Sequence, residues 1–270
     1  MGAVSSALTQ VIELQEVFVS FPGRGTAGES LRRRRVVAVD GVSFSVARGE
    51  CVGIVGESGC GKSTLVRTIV GLQKPDSGRI MIEGQLLGAH IDRAQRRRIQ
   101  LVFQDPFSAL NPAMKIGSML GELLRVHRLV PRRSINSRCG ELLAAVGLSA
   151  DYLDVYPQGL SGGQRQRVSI ARALALEPEI ILADEVVSAL DVSVQADILN
   201  LIIRLRQELG LTVLFISHDL AVVRQLCDRV LVMHQGRVVE SGPVERVFAS
   251  PEHDYTKTLL DSIPRLALRE

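Results

Sequence analysis

The sequence predicts an α/β protein with a mainly parallel core sheet, an antiparallel β portion and an inserted helical subdomain. Three observations carry this. In the second half, short apolar strands alternate with helical stretches: Ile180–Ala183, a helix over Val194–Leu209, then Thr212–Ile216. Alternation of this kind builds a parallel sheet with helices on both faces. A glycine-rich loop, Gly56–Ser63, joins the strand Val52–Val55 to a helix. Between these regions, residues 115–146 change to helical periodicity.

Taken in order, residues 11–21 and 36–55 are rich in apolar and β-branched residues and read as strands. The segment between them, Pro22 to Arg35, carries Gly, Ser and Arg and reads as an exposed loop. The helix from Lys62 places Leu65, Ile69, Val70 and Leu72 at helical spacing. Pro75-Asp76-Ser77-Gly78 is a turn before a strand at Arg79–Glu83, and Ile99–Phe103 is another strand, ending at Gln104. Met119, Leu120, Leu123 and Leu124, then Leu142, Leu143 and Val146, mark the helical insert, expected over about residues 108–172 of a single 270-residue domain. A helix from Gly163 to Leu176 follows. A short helix after Asp219 leads to a hairpin, Arg229–Met233 and Arg237–Glu240, through Gln235-Gly236, and residues 243–270 read as a C-terminal tail.

Composition narrows the function classes. Hydrophobic residues make up 46% and charged residues 23%, an ordinary globular balance. The net charge of +3, from 32 basic and 29 acidic residues, is too small to argue for nucleic acid. The runs Arg32–Arg35 and Arg96–Arg98 read as solvated loop or helix-end residues, with acidic lipid headgroups or a partner as the alternative. No apolar stretch approaches the roughly 20 residues of a membrane span. Met1 to Leu14 lacks the order of a signal peptide, so a soluble, cytosolic chain is expected. Cys51, Cys60, Cys139 and Cys227 are scattered without CxxC spacing, and reduced thiols are the expectation.

The loop Gly56-Glu57-Ser58-Gly59-Cys60-Gly61-Lys62-Ser63 fits G-x-x-x-x-G-K-[ST] in full. Its glycines let backbone N–H groups converge on one anion, and the helix behind adds its positive dipole end. Lys62 is expected on the β- and γ-phosphates, Ser63 on Mg²⁺ and Thr64 near the α-phosphate. A plain glycine-rich turn is the bland alternative, disfavoured by the strand–loop–helix context. Asp184 ends an apolar strand, where a carboxylate is costly without a cation or hydrogen bonds; it is expected to hold Mg²⁺ through a water. Glu185, next in sequence, is the candidate general base that polarises the attacking water, a turn cap being its milder reading.

With these residues in view, the chain resembles the ATP-binding-cassette ATPases over nearly its whole length. The motifs run in order: the P-loop, Gln104 in Val102-Phe103-Gln104-Asp105-Pro106, Leu160-Ser161-Gly162-Gly163-Gln164, Asp184-Glu185, Ser188-Ala189-Leu190-Asp191, and His218 in Ile216-Ser217-His218-Asp219. The resemblance implies a P-loop cassette that binds ATP and Mg²⁺. It assigns Gln104 to sensing Mg²⁺ and water, His218 to the γ-phosphate, Ser161 and Gly163, within the Ser161–Gln164 signature, to the nucleotide of an opposing subunit, and Asp191 to the dimer interface. Phe21 stands where the family places an aromatic on adenine; a core Phe competes with that role. It also implies a second, identical or homologous ATPase subunit, two transmembrane permease subunits and, indirectly, a solute-binding protein, at the cytoplasmic face of the membrane.

Finer wording resembles the peptide/nickel importer branch: Gly56–Cys60, Val102–Pro112, Ser188–Gln195, and a tail with His253-Asp254-Tyr255-Thr256-Lys257 and Ile263-Pro264. Peptides, nickel and metal chelates are the candidate solutes, and the sequence does not choose among them. The iron–sulfur extension of some members is not expected, because the last cysteine is Cys227. A departure is Val186, where the family usually has proline. Proline fixes φ, so its loss could loosen this turn and affect the rate. Cys60, inside the loop, reads as a packing residue rather than a reactive one. A soluble non-transport cassette and a catalytically silent regulatory cassette are the rival readings. The first lacks its usual second cassette or coiled coil here, and the second is opposed by Lys62, Asp184, Glu185 and His218 together.

Overall fold

The computed structural model describes residues 9–23, 35–88 and 92–262. Arg32–Arg34, most of the expected loop after Pro22, and Ile263-Pro264 lie outside the described residues. The chain forms two compact units, Met1–Ile91 with Phe215–Glu270, and Asp92–Leu214.

In the first unit, β1 (Gln10–Pro22) pairs antiparallel with β2 (Arg35–Ala47). Its burial phase switches midway: Ile12 and Leu14 are buried, then Val17 and Val19. The switch occurs where Glu16 adopts φ 46 and the register shifts between Leu14 and Val17. One extra residue at such a bulge turns every later side chain to the other face. The expected strand run 36–55 is in fact two strands. A turn at Arg48–Glu50 closes through the Glu50 N–H on the Ala47 carbonyl (3.1 Å), and β3 (Cys51–Val55) starts afresh.

Every residue of β3 is buried, as its Val- and Ile-rich composition requires of a strand covered on both faces. The helix α1 (Lys62–Ile69) follows, with Leu65, Val66 and Ile69 buried. β4 (Ser77–Ile82) turns into a short β5 (Gln85–Leu86), completing an antiparallel sheet of order β2-β1-β4-β5.

The second unit opens with α2 (Arg93–Arg98), capped at Asp92 by a reciprocal box with Gln95. The Arg96–Arg98 run therefore sits in the last turn of a helix, where positive charge suits the dipole, and Arg98 lies 3.6 Å from Glu179. The strand β6 (Ile99–Val102) pairs in parallel with β7 (Ile180–Asp184). Between them come α3 (Pro106–Ala109), α4 (Ile116–Val126), α5 (Ile135–Ala145) and α6 (Gly162–Leu174). Ile116, Leu120, Leu124 and Leu143 are fully enclosed where α4 meets α5. After β7, α7 (Val192–Leu209) ends at Gly210 in the left-handed conformation.

The strand β8 (Thr212–Ile216) carries the chain back to the first unit. There α8 (Leu220–Leu226) precedes β9 (Arg229–His234), which pairs in parallel with β3, and β10 (Arg237–Pro243), which pairs antiparallel with β9. The segment read as a plain tail contains two helices, α9 (Val244–Ala249) and α10 (Asp254–Asp261). Buried Glu240 anchors it, accepting the backbone N–H groups of Glu252 (2.9 Å) and His253 (3.0 Å). Among the described residues no helix is long and apolar enough to cross a membrane.

Two outcomes test this packing. Leu143→Ala should lower the unfolding free energy by about 2–5 kcal/mol, read from the denaturant midpoint. For Glu240, burial pushes the carboxyl upward, but the Glu252 and His253 N–H groups and Arg246 outweigh it and hold it below its ordinary 4.5. A lowered folded-state pKa stabilises the fold above the ordinary value, and the benefit is lost as pH falls through the folded value. The melting temperature of the native chain should therefore exceed that of Glu240→Gln above about pH 5, with the gap closing as pH drops below 4.5.

Candidate nucleotide site

Backbone proximity decides the shape of the loop after β3. A Cβ placed on Gly56 would lie 2.2 Å from the Met233 carbonyl oxygen, and one on Gly61 would lie 2.1 Å from that of Ala38. Both glycines also hold φ values, 152° and 110°, that other residues rarely adopt. Glu57, Ser58 and Gly59 face solvent, while Cys60 is buried against Gly56. The turn between β9 and β10 braces the loop from behind, its Gly236 N–H donating to the Cys60 carbonyl (2.9 Å) and its carbonyl accepting from Asp40 (2.9 Å).

Lys62 is only 4% exposed. Its ammonium donates to the carbonyls of Gly56 (2.6 Å) and Glu57 (2.8 Å), with the Cys60 sulfur 3.8 Å away. Ser63 and Thr64, half-buried, occupy the next positions in the first turn of α1. The loop thus combines a cradle that no side chain can enter with a buried cation and hydroxyls at a helix N-terminus, a fit for a phosphate chain.

Phe21 stands at the end of β1, 37% exposed and paired across the strands with Val36. Val36 and Val37 are exposed too, making this sheet end an open apolar face. His218 is exposed in the turn after β8. Ser217 Oγ accepts the Asp219 N–H (2.9 Å), and Asp219 caps α8 through the N–H groups of Ala221 and Val222.

In the second unit Asp184 ends β7, buried at 9% exposure. Glu185 follows with φ 48, a left-handed conformation that swings its side chain out of the strand line. The turn is closed by the Ser188 N–H (3.1 Å) and hydroxyl (2.9 Å), both donating to the Glu185 carbonyl. Val186 is buried beside Val102, Ile170, Ala183 and Ile202, so the residue in place of proline packs into the core under this turn. Gln104 reaches across from the end of β6, its amide donating to the Glu185 carboxylate (3.1 Å) and the Ser188 hydroxyl (3.2 Å).

The Leu160–Gln164 run starts α6 with a capping box. Ser161 Oγ accepts the Gln164 N–H (3.3 Å), and Gln164 Oε1 accepts the Ser161 N–H (2.9 Å). Gln164 also donates to the Tyr152 hydroxyl (2.8 Å). Gly162 leaves Leu190 close by, and a Cβ on Gly163 would meet Val194 of α7 at 2.4 Å. Asp191 is the exposed N-cap of α7, followed by Val192 at 83% exposure. The Arg165 guanidinium sits 4.1 Å from the centre of the Phe107 ring, tying α6 to α3.

The structure thus gathers the P-loop residues in one unit and Gln104, Glu185 and Ser188 in the other. Ser188 was read only as part of a motif. Its bond to Gln104 spans 84 residues, a distance no local pattern reports. Tyr255, whose hydroxyl accepts the Glu57 N–H (3.0 Å), likewise stands in the sequence only as a member of the His253–Lys257 motif.

Known proteins match this arrangement. The profile of the ABC transporter family covers residues 39–188, and that of the oligopeptide/dipeptide transporter C-terminal region covers residues 239–270. The oligopeptide transport ATP-binding protein AppF of Bacillus subtilis is 48% identical over 94% of this chain and 78% of its own length. The dipeptide transport ATP-binding protein DppF of Escherichia coli is 48% identical over 86% of this chain and 71% of its own. Among solved structures, cbiO1 from Clostridium perfringens, part of the ABC transporter complex cbiONQ, superimposes with a TM-score of 0.75 at 30% identity, covering 90% of this chain and 92% of that one. The cassette MJ0796, solved as a dimer bound to ADP and Pi, gives 0.74 at 31% identity, covering 86% and 98%.

The chain belongs to the ABC transporter family. Within it, the fold is that of a nucleotide-binding ATPase cassette.

Gly61→Ala should abolish nucleotide binding, measured by titration with a fluorescent ATP analogue, while the chain stays folded by circular dichroism. The added methyl meets the Ala38 carbonyl at 2.1 Å and must push the loop out of shape.

Proposed function

We propose that this chain is the ATP-hydrolysing subunit that drives a peptide importer, working with a second cassette and two membrane-spanning permease subunits at the cytoplasmic face of the membrane. The observation that carries the reading is the Gln104 amide held against both Glu185 and Ser188. A carboxylate on a left-handed turn, oriented by an amide, suits a general base that must face one water molecule.

The roles divide as follows. The loop N–H groups of Gly59 to Ser63 take the phosphates, and Lys62 leaves the Gly56 and Glu57 carbonyls for the β- and γ-phosphates. Thr64 lies toward the α-phosphate. Phe21, with Val36 and Val37 beside it, offers an apolar face for the adenine ring. Ser63, Asp184 and Gln104 supply oxygen donors, the ligand type magnesium prefers; when bound, the ion neutralises phosphate charge. Glu185 polarises the water, and His218 contacts the γ-phosphate.

Ser161, Gly162, Gly163 and Gln164 begin a helix, and a helix N-terminus favours an anion. They serve the nucleotide of the opposing subunit, whereas Asp191 and the exposed Val192 face that subunit. Catalysis is then mostly positioning and charge stabilisation, and closure of the paired cassettes is passed to the permease through the Gln104 segment and the α3–α6 helices.

Peptide is favoured over nickel or a chelate by the C-terminal match over residues 239–270 and by the peptide-transport names of AppF and DppF. Glu185→Gln should cut the turnover number by about 10²–10⁴-fold, keep ATP binding, and accumulate ATP-bound dimers on size exclusion. In membrane vesicles carrying the assembled transporter, labelled di- or oligopeptide uptake should stop. An unchanged hydrolysis rate would remove Glu185 as base, and uptake of nickel alone would overturn the peptide reading.

A further inference from the structure

The C-terminal segment touches the phosphate loop at a point the roles above leave unused. The Tyr255 hydroxyl accepts the Glu57 N–H at 3.0 Å, 198 residues away in sequence. The carbonyl of the same residue, Glu57, accepts the Lys62 ammonium at 2.8 Å. The two peptide groups flanking the Glu57 Cα are thus held from opposite ends, one by the tail and one by the phosphate-binding lysine.

Tyr255 is itself fixed. Its ring lies against His234, centroids 3.9 Å apart, at the end of β9. The entry to α10 is anchored by the two N–H groups that Glu240 accepts and by Arg246, which pairs with Glu252 (2.7 Å) and donates to the Ser241 carbonyl (2.8 Å). His253 caps the helix through the Tyr255 N–H (3.1 Å). Burial raises the phenol's pKa, so it stays neutral at physiological pH.

We infer that Tyr255 is a positioning residue of the nucleotide site, holding the Glu57 backbone so that the loop keeps its shape when Lys62 transfers from the loop carbonyls to a phosphate. The inference rests on the nucleotide-site reading of Gly56–Thr64. It makes residues 239–262 part of the ATP site, and Glu240 the anchor of that part.

The test uses the full chain for binding and the assembled transporter for turnover. Tyr255→Phe keeps the ring on His234 and removes only the hydroxyl. Loss of one such hydrogen bond should raise the Kd for a fluorescent ATP analogue and the KM for ATP about three- to tenfold. The turnover number at saturating ATP and the melting temperature without nucleotide should stay at native values. Glu240→Ala, which frees the helix entry, should shift KM in the same direction. A purely structural role would lower the melting temperature and leave KM alone, and that result, or an unaltered Kd in Tyr255→Phe, overturns the inference. Failure of the native chain to bind the analogue, or equal binding by Lys62→Ala, would bring down the nucleotide-site reading and this inference with it.

Discussion

The carbonyl oxygens of Met233 and Ala38 set the constraint on which the first unit depends. They come so close to positions 56 and 61 that no side chain fits there, and the loop must run as bare backbone at both points. The surrounding strands are arranged to keep those two carbonyls where they are. β9 pairs with buried β3 over four residues, and the Gly236 turn stitches β10, β2 and the loop together. A buried lysine completes the cradle. Its charge is satisfied by the carbonyls of Gly56 and Glu57, so the loop holds its cation without exposing it.

Much of this was legible in the sequence because it is contiguous. Gly56 to Thr64 lie in one run whose spacing has a single physical use, and the strand–loop–helix order follows from apolar periodicity. That the core sheet is mainly parallel follows from alternation with helices, whereas the particular pairs β3–β9 and β6–β7 are seen only in the structure. The places where local pattern misled are instructive. Within residues 36–55 the end of the first strand is hard to place, because a three-residue turn at Arg48–Glu50 barely interrupts the apolar run. The bulge at Glu16 leaves no compositional mark, since a glutamate rather than a glycine holds the left-handed φ there. The tail shows a motif but no helices in the sequence, because α9 and α10 are short and get their order from Glu240, a tertiary anchor.

The Gln104–Glu185 region of the second unit shows the same division. Asp184 and Glu185 can be picked out from an apolar strand that ends in two carboxylates. What orients Glu185 cannot, because Gln104 lies 81 residues upstream and arrives through the pairing of β6 with β7. Val186 illustrates a different limit. The sequence suggests a looser turn without proline, yet Ser188 closes the turn twice onto the Glu185 carbonyl, and the valine methyls fill apolar space that lies beneath it.

The contact between Gly163 and Val194 has a mechanical meaning. With no side chain on Gly163, the backbone at the start of α6 lies directly on the first turn of α7. Packed cores pass displacement on rather than absorb it. The starts of the two helices therefore meet in direct contact, and Gly163 cannot move toward α7 without displacing Val194.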